Sequence, residues 1–365
     1  MIIVGGGIVG ASFAYHAHLR GVSEITQITG TLSTDKEQAT SNTWGWVNGY
    51  SPNDKKYAAF RLANLKYWSK LIEDIKHLTS SSKGAFFWDM DKDDLSETIA
   101  QHQSWGHSVS DVRKLKLEEY LPNLYNRPEI AGFGENDLAI EGSKASDLLI
   151  KASGSRIKKS NVNKLIFKEN KVIGVETDQG IIYSDEVIIA AGLGTPDLLS
   201  TININFKMSS TLGLLAYTNP LPKLILQYPI TGKDFHARQD DQGRLVIGGK
   251  FDDDASKESN IKEAAEKLVQ DMDARLNYNG AMTLESYTLG RRPLPIDGRP
   301  KIGRLKNHLD KKIKGLYVAV MHSGITNAPL AGKLGIEEII TEKRHSLITD
   351  FFPQTSSYNE SKSNV

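Results

Sequence analysis

Cysteine is absent from this 365-residue chain. That excludes disulfides, thiolate metal sites, a cysteine nucleophile and any prosthetic group tethered through sulfur. Net charge is nearly absent as well: 45 Lys and Arg against 44 Asp and Glu leave +1. The balance gives no electrostatic case for nucleic acid or an anionic membrane as a partner. No apolar run approaches the roughly 18 residues that a membrane span requires. No basic segment precedes the first apolar run, and glycines at 5, 6, 7 and 10 interrupt it, so it does not read as a signal peptide. Together these absences fit a cytoplasmic protein. Apolar residues at 39% and charged residues at 24% fit a globular chain of about two domains.

What is present begins at once. Ile2, Ile3 and Val4 form a β-branched run that reads as a buried parallel strand. Glycines at 5, 7 and 10 follow as G-x-G-x-x-G. Ala11, Ala14 and Ala17 then give a helix a small face, Gly21 ends it, and Ile25–Ile28 reads as a second strand. This strand–turn–helix–strand order is the context a dinucleotide fingerprint requires. The backbone of such a turn approaches a pyrophosphate, and the positive end of the helix faces it. One element departs from the pattern. The acidic residue that binds the adenosine ribose, about 20 residues on, is replaced by Thr29. A threonine hydroxyl is a weaker, neutral partner for a ribose.

Further along, Ser41-Asn42-Thr43-Trp44-Gly45-Trp46-Val47-Asn48-Gly49 sets small and polar residues beside two tryptophans. It suits a loop passing a flat ring, or equally a turn with buried aromatics. Tyr57 to His77 has apolar residues at helical spacing. Residues 78–136 read as irregular. Within them Asp89–Asp94 resembles a calcium loop, but Asp94 and Ala100 stand where Gly and Glu are required, so no metal is expected. Ser146–Lys159 reads as a helix. Val162–Phe167, Lys171–Thr177 and Ile181–Tyr183 read as strands. Asp185–Gly194 reads as a buried strand ending in a small-residue turn, Ala190-Ala191-Gly192. Residues 206–290 alternate and read as a mainly antiparallel sheet with one helix, 260–276. Arg291-Arg292-Pro293 opens a loop closed at Asp297-Gly298-Arg299-Pro300. A strand, Leu316–Met321, then leads into His322-Ser323-Gly324 and a last helix.

Taken in order, Gly5-x-Gly7-x-x-Gly10, the Ser41–Gly45 loop, Gly174–Thr177 with Ala190-Ala191-Gly192, Arg292-Pro293 with Asp297-Gly298, and His322-Ser323-Gly324 resemble the D-amino-acid oxidase family. That family of FAD-dependent oxidoreductases includes glycine oxidase and sarcosine oxidase. The resemblance covers roughly residues 1 to 343. It implies a mixed α/β (α+β) fold, a Rossmann-like FAD-binding domain interleaved with a mainly antiparallel-sheet substrate domain. The first would comprise 1–77, 138–205 and 291–350, the second 78–137 and 206–290. Residues 351–365 would be a tail, disordered at its end.

The resemblance also implies roles. Gly5, Gly7, Ile8, Val9 and Gly10 would hold the pyrophosphate, and Thr29 would stand at the ribose. Ser41, Asn42, Thr43, Trp44 and Gly45 would pass the ribityl chain and flavin ring. Val162 would offer backbone to adenine, with Ala190, Ala191 and Gly192 beside the FAD. Gly324, Ile325 and Thr326 would meet the pyrimidine edge, where a helix N-terminus favours negative charge on the ring. With no cysteine in the chain and no histidine in the Ser41 loop, the FAD is expected to be noncovalent. Val246 stands where sarcosine-oxidase-like members carry a lysine.

The implied reaction oxidises the C–N bond of a small amine or amino acid (a D-amino acid, glycine or an N-methyl amino acid) by hydride transfer to flavin N5, with oxygen or a quinone as acceptor. Such chemistry needs a held carboxylate and an oriented α-hydrogen more than acid–base machinery. Arg292 is the candidate carboxylate clamp, because a guanidinium binds a carboxylate bidentately; the bland alternative is a loop-capping arginine. His322 could contact flavin or substrate, or be a packed histidine. His236 and Arg238 share a strand face and could line the site, as could Lys250. A competing class is a binding or regulatory protein that keeps the fold with weak or lost FAD binding. A nicotinamide enzyme or flavin monooxygenase fits the motif order poorly.

Overall fold

A computed structural model describes residues 1–30, 38–51, 54–249, 258–307 and 311–353. Lys250 and most of the C-terminal tail, 354–365, lie outside these residues, as does most of the polar stretch after Thr29. The chain divides into two compact units: Met1–Thr40, Ser143–Ser210 and Arg292–Val365 form one, and Ser41–Gly142 and Thr211–Arg291 form the other.

The first unit is built on a six-stranded sheet. Its order is Lys301–Gly303, Leu316–Val320, Val187–Ile189, Ile2–Val4, Thr26–Thr29 and Arg156–Lys159. All neighbours are parallel except the Lys301–Gly303 edge. The β-branched run that opens the chain lies at the centre because both its faces are buried. Ile2, Val4, Val187, Ile189, Leu316 and Val318 form the core on one side. A separate antiparallel meander comprises Val162–Lys168, Lys171–Thr177 and Gly180–Tyr183, the three strands read from the sequence.

Sequence and structure differ at 146–159. The helix runs Gly142–Ser153, Gly154 turns with φ +61°, and Arg156–Lys159 pairs in parallel with Thr26–Thr29. That strand is the sheet's exposed edge. Its polar Arg-Ile-Lys-Lys sequence gives no buried-strand signal, so it reads as the end of the helix.

The helix Ile8–Leu19 lies beside Gly324–Thr341, where Ser12 Oγ donates to the Ala328 carbonyl at 2.7 Å. His16 is buried between them, and its Nδ1 donates to the Ser12 carbonyl at 2.7 Å. Burial lowers its imidazole from 6.5 to about 4. The neutral form therefore folds better. This stability is fully present above pH 6.5 and is lost as pH falls towards 4, by about 2–3 kcal/mol. His16→Gln should flatten the loss between pH 7 and 4.5 in urea unfolding; an unchanged loss would contradict this account.

The second unit carries a nine-stranded sheet. Along it run Leu284–Pro295, Met208–Thr218, Leu245–Gly249, Phe235–Gln239, Ile230–Gly232, Lys83–Trp88, Ile130–Ala139 and Trp46–Val47, with Val109–Arg113 added on Ile130–Ala139. Leu214, Ala216, Ile247, Val269 and Met272 join strands and the helix Glu258–Arg275 into one core. The expected helix is thus present.

The stretch read as irregular, 78–136, instead supplies three of these strands and the helices Lys92–Ser104 and Lys114–Tyr120. Gly84 to Phe87 are buried in succession, so Lys83–Trp88 lacks the period-two alternation that marks a half-exposed strand. Asp93 and Asp94 fall in the first turn of Lys92–Ser104, where the helix dipole favours them. Arg291-Arg292-Pro293 also continues a strand rather than opening a loop. That strand is the sheet edge, where a proline costs no ladder hydrogen bond. Among the described residues no helix is long and apolar enough to cross a membrane.

Candidate active site

In the first unit the fingerprint glycines serve close approach. Gly5 has φ +125°, and a Cβ there would stand 2.2 Å from the Ala190 carbonyl oxygen. A Cβ on Gly10 would stand 2.2 Å from the Gly5 carbonyl oxygen. The Gly5 turn and the Ala190-Ala191-Gly192 turn therefore pack back to back, and Ala190 N donates to Val4 O at 2.8 Å. The helix that follows has Gly7 as its N-cap, no acidic residue in its first turn and no side-chain cap from its own sequence. Its positive end is left for an anion.

Two residues here were not singled out from sequence. Thr40 Oγ1 accepts from the Ile8 amide at 3.0 Å, and a hydroxyl at that point can donate to a phosphate in turn. Gln27 Nε2 donates to the Gly5 carbonyl at 2.7 Å and fixes the turn from below. A polar residue in the middle of the buried strand Thr26–Thr29 is its sequence signal; Thr40 adjoins the Ser41 motif and carries none of its own.

Thr29 is buried at the strand end, with its side chain against Gly6. Its carbonyl accepts from Ser160 N at 3.0 Å, which brings the start of the Val162–Lys168 strand to the same end. His322 to Thr326 join the strand Leu316–Val320 to the last helix. Ser323 is left-handed at φ 54°, and its Oγ lies 2.9 Å from His322 Nδ1. A Cβ on Gly324 would lie 3.6 Å from Val9. Two helix N-termini therefore emerge together at the carboxyl ends of parallel strands, where α/β sheets bind ligands.

The second unit gathers a different set. Trp44 and Trp46 rings lie 5.4 Å apart, and Trp44 lies 4.5 Å from the His236 ring. His236 and Gly248 are register partners, and a Cβ at 248 would stand 2.1 Å from His236 Nε2. The glycine lets the imidazole lie across its neighbouring strand. Arg238, two residues on, is buried; its Nε donates to the Trp44 carbonyl and its Nη1 pairs with Glu141. Tyr217, Val246 and Arg238 form one cross-strand row. Thr43 Oγ1 accepts from Gly45 N at 3.2 Å, and Asn42 packs on Gly290.

On the strand Leu284–Pro295, Arg291 is exposed and Arg292 half-buried. Alternation puts Arg292 on the face of Gly290. Burial lowers the Arg292 guanidinium, and no charged group among the described residues offsets it. Among those residues it makes no ion pair. No cluster of His, Asp or Glu among them suits a metal ion.

Comparison with known proteins agrees with this architecture. The family model for FAD dependent oxidoreductases, DAO, matches residues 1–337. An uncharacterized oxidoreductase of Bacillus subtilis (strain 168), YurR, is 25% identical, covering 91% of this chain and 92% of that one. Glycine oxidase of Bacillus licheniformis is 22% identical, covering 93% and 92%. Among solved structures, L-proline dehydrogenase from P. horikoshii superposes with a TM-score of 0.84 at 17% identity, covering 96% of each chain. The chain belongs to the DAO family of FAD-dependent oxidoreductases and is an enzyme of that class.

Proposed function

We propose that this enzyme oxidises the C–N bond of a small amine that carries a carboxylate: a D-amino acid, glycine or an N-methyl amino acid. Arg292 carries the reading. A half-buried guanidinium that makes no ion pair among the described residues, held on the Gly290 face of its strand, is a site awaiting a carboxylate. A fork-shaped cation binds that group bidentately and fixes the α-carbon at the other end of the molecule. His236, held by Trp44 and seated across Gly248, lines the substrate side. The names of the relatives, glycine oxidase and L-proline dehydrogenase, point to the same substrate class.

The cofactor role falls to the first unit and the substrate role mainly to the second. FAD, when bound, supplies the hydride acceptor. Gly5, Gly7, Ile8, Val9, Gly10 and Thr40 would hold its pyrophosphate, and Thr29 its ribose. Gly324, Ile325 and Thr326 would present amides to the flavin's pyrimidine edge. The intact close packing of Gly5, Gly10 and Ala190 speaks against a fold that has lost its dinucleotide.

The FAD is bound noncovalently, since the chain offers no cysteine and the Ser41–Gly45 loop no histidine. Acid precipitation should release yellow flavin into the supernatant; flavin that stays with the pellet would overturn this. The acceptor is oxygen or a quinone.

A further inference from the structure

The second unit contains a buried carboxyl–imidazole pair that substrate chemistry does not use. Asp137 and His107 have side chains 1% and 2% exposed, with Oδ1 and Nε2 3.5 Å apart. The strand Ile130–Ala139 loses its regular pairing where Asp137 emerges. Gly134 faces Ala85 and Leu138 faces Lys83, so extra residues bulge between them. Bulges of this kind re-aim a side chain. The carboxylate turns back over Gly134, where a Cβ would stand 2.6 Å from Oδ2. His107 in turn lies over Gly49, whose Cβ would stand 3.0 Å from Nε2.

From that position Asp137 reaches the loop after Gly45 twice. Trp46 Nε1 donates to its Oδ2 at 3.0 Å, and the Gly49 backbone amide also bonds to it. Between those two contacts, Asn48 is gripped by buried Arg61, through Nη2 at 2.6 Å and Nε at 3.1 Å. Burying a carboxylate costs several kcal/mol unless it is paired and hydrogen-bonded. Apolar residues would fill this space at lower cost. A buried polar pair that closes over Gly134 and Gly49 points to positioning.

We propose that the Asp137–His107 pair is the positioning device of the Trp46–Gly49 loop, holding the Trp46 indole and, through the Trp44–Trp46 ring contact, the ring that packs on His236. Asp137 and His107 are positioning residues and touch neither substrate nor cofactor. The inference rests on the reading that residues 41–45, joined to this loop, border the FAD.

The test uses the FAD-loaded protein with Asp137→Asn, Trp46→Phe and the double variant. Asp137→Asn should speed hydrogen exchange of the Trp46 indole N–H, followed by nitrogen-15 NMR, by about tenfold or more. Each single variant should raise the FAD dissociation constant by about fivefold, and the double variant should lose clearly less than the product of the two, because both remove the Trp46–Asp137 hydrogen bond. Unchanged indole exchange would overturn the proposal, and so would losses that multiply in the double variant. If Asp137→Asn does not fold, Trp46→Phe decides: it keeps the ring and loses the N–H, and FAD affinity within about twofold of the parent would overturn the proposal. A parent protein that binds no FAD fails the functional reading instead, while indole exchange, repeated with His107→Gln, still decides this one.

Discussion

Replacing Arg292 by alanine is expected to lower kcat/KM for a carboxylate-bearing amine by about 30- to 1,000-fold, equivalent to about 2–4 kcal/mol. The guanidinium is already half-buried, and burial alone lowers its pKa. Its desolvation cost is therefore met in the folded protein before substrate arrives. A carboxylate then gains the full charge-assisted pair, and alanine forfeits it. Arg292→Lys should recover little, because a point charge cannot reproduce the planar fork. The neighbouring Arg291 is exposed, so Arg291→Ala should change kcat/KM less than threefold, on the order of a surface-charge effect. Steady-state kinetics with one substrate compare all three. An Arg292→Ala enzyme within a few-fold of the parent would remove Arg292 from the substrate site.

Oxygen reactivity should be slow in the parent and should rise in Glu141→Gln. A positive charge beside the reacting atoms stabilises negative charge developing on dioxygen, and a dry site magnifies the effect. Val246 supplies no such charge. Directly across from it in register stands Arg238, a buried guanidinium, but Glu141 is paired with it. The pair presents almost no net charge. Air reoxidation of the substrate-reduced protein in a stopped-flow instrument is therefore expected to lag well behind turnover with a quinone or dye. Glu141→Gln leaves Arg238 charged and should accelerate reoxidation by about tenfold, the effect of about 1.4 kcal/mol on a barrier. Reoxidation of the parent as fast as its turnover would make it an oxidase and refute this account.

The Gly5–Gly10 turn was legible in the sequence because its constraints are local. A glycine demanded by a carbonyl oxygen 2.2 Å from its missing Cβ leaves the same mark in any chain. The β-branched run at Ile2–Val4 is equally plain. Thr40 and Gln27 escaped because their partners, Ile8 N and Gly5 O, lie far away in sequence. The strands within 78–136 escaped for a related reason. Lys83–Trp88 is buried on both faces, and Ile130–Ala139 carries the bulge at Asp137, so neither keeps a clean alternation. Arg156–Lys159 was hidden by the opposite condition, since this exposed edge strand is as polar as a helix surface. The pairing of Asp137 with His107 joins residues 30 apart with no motif between them, and only the bulged register brings them together.

Anaerobic titration of the purified yellow protein tests the central claim most directly. Glycine, sarcosine, L-proline and a set of D-amino acids are added in turn, and the visible flavin absorbance is followed in the absence of oxygen. The account predicts that at least one of these carboxylate-bearing amines bleaches the flavin, and that the corresponding amine without the carboxylate does not. Bleaching by the decarboxylated amine as readily as by its parent would contradict the role of Arg292. A flavin that dithionite reduces and none of these amines bleaches would contradict the proposed function.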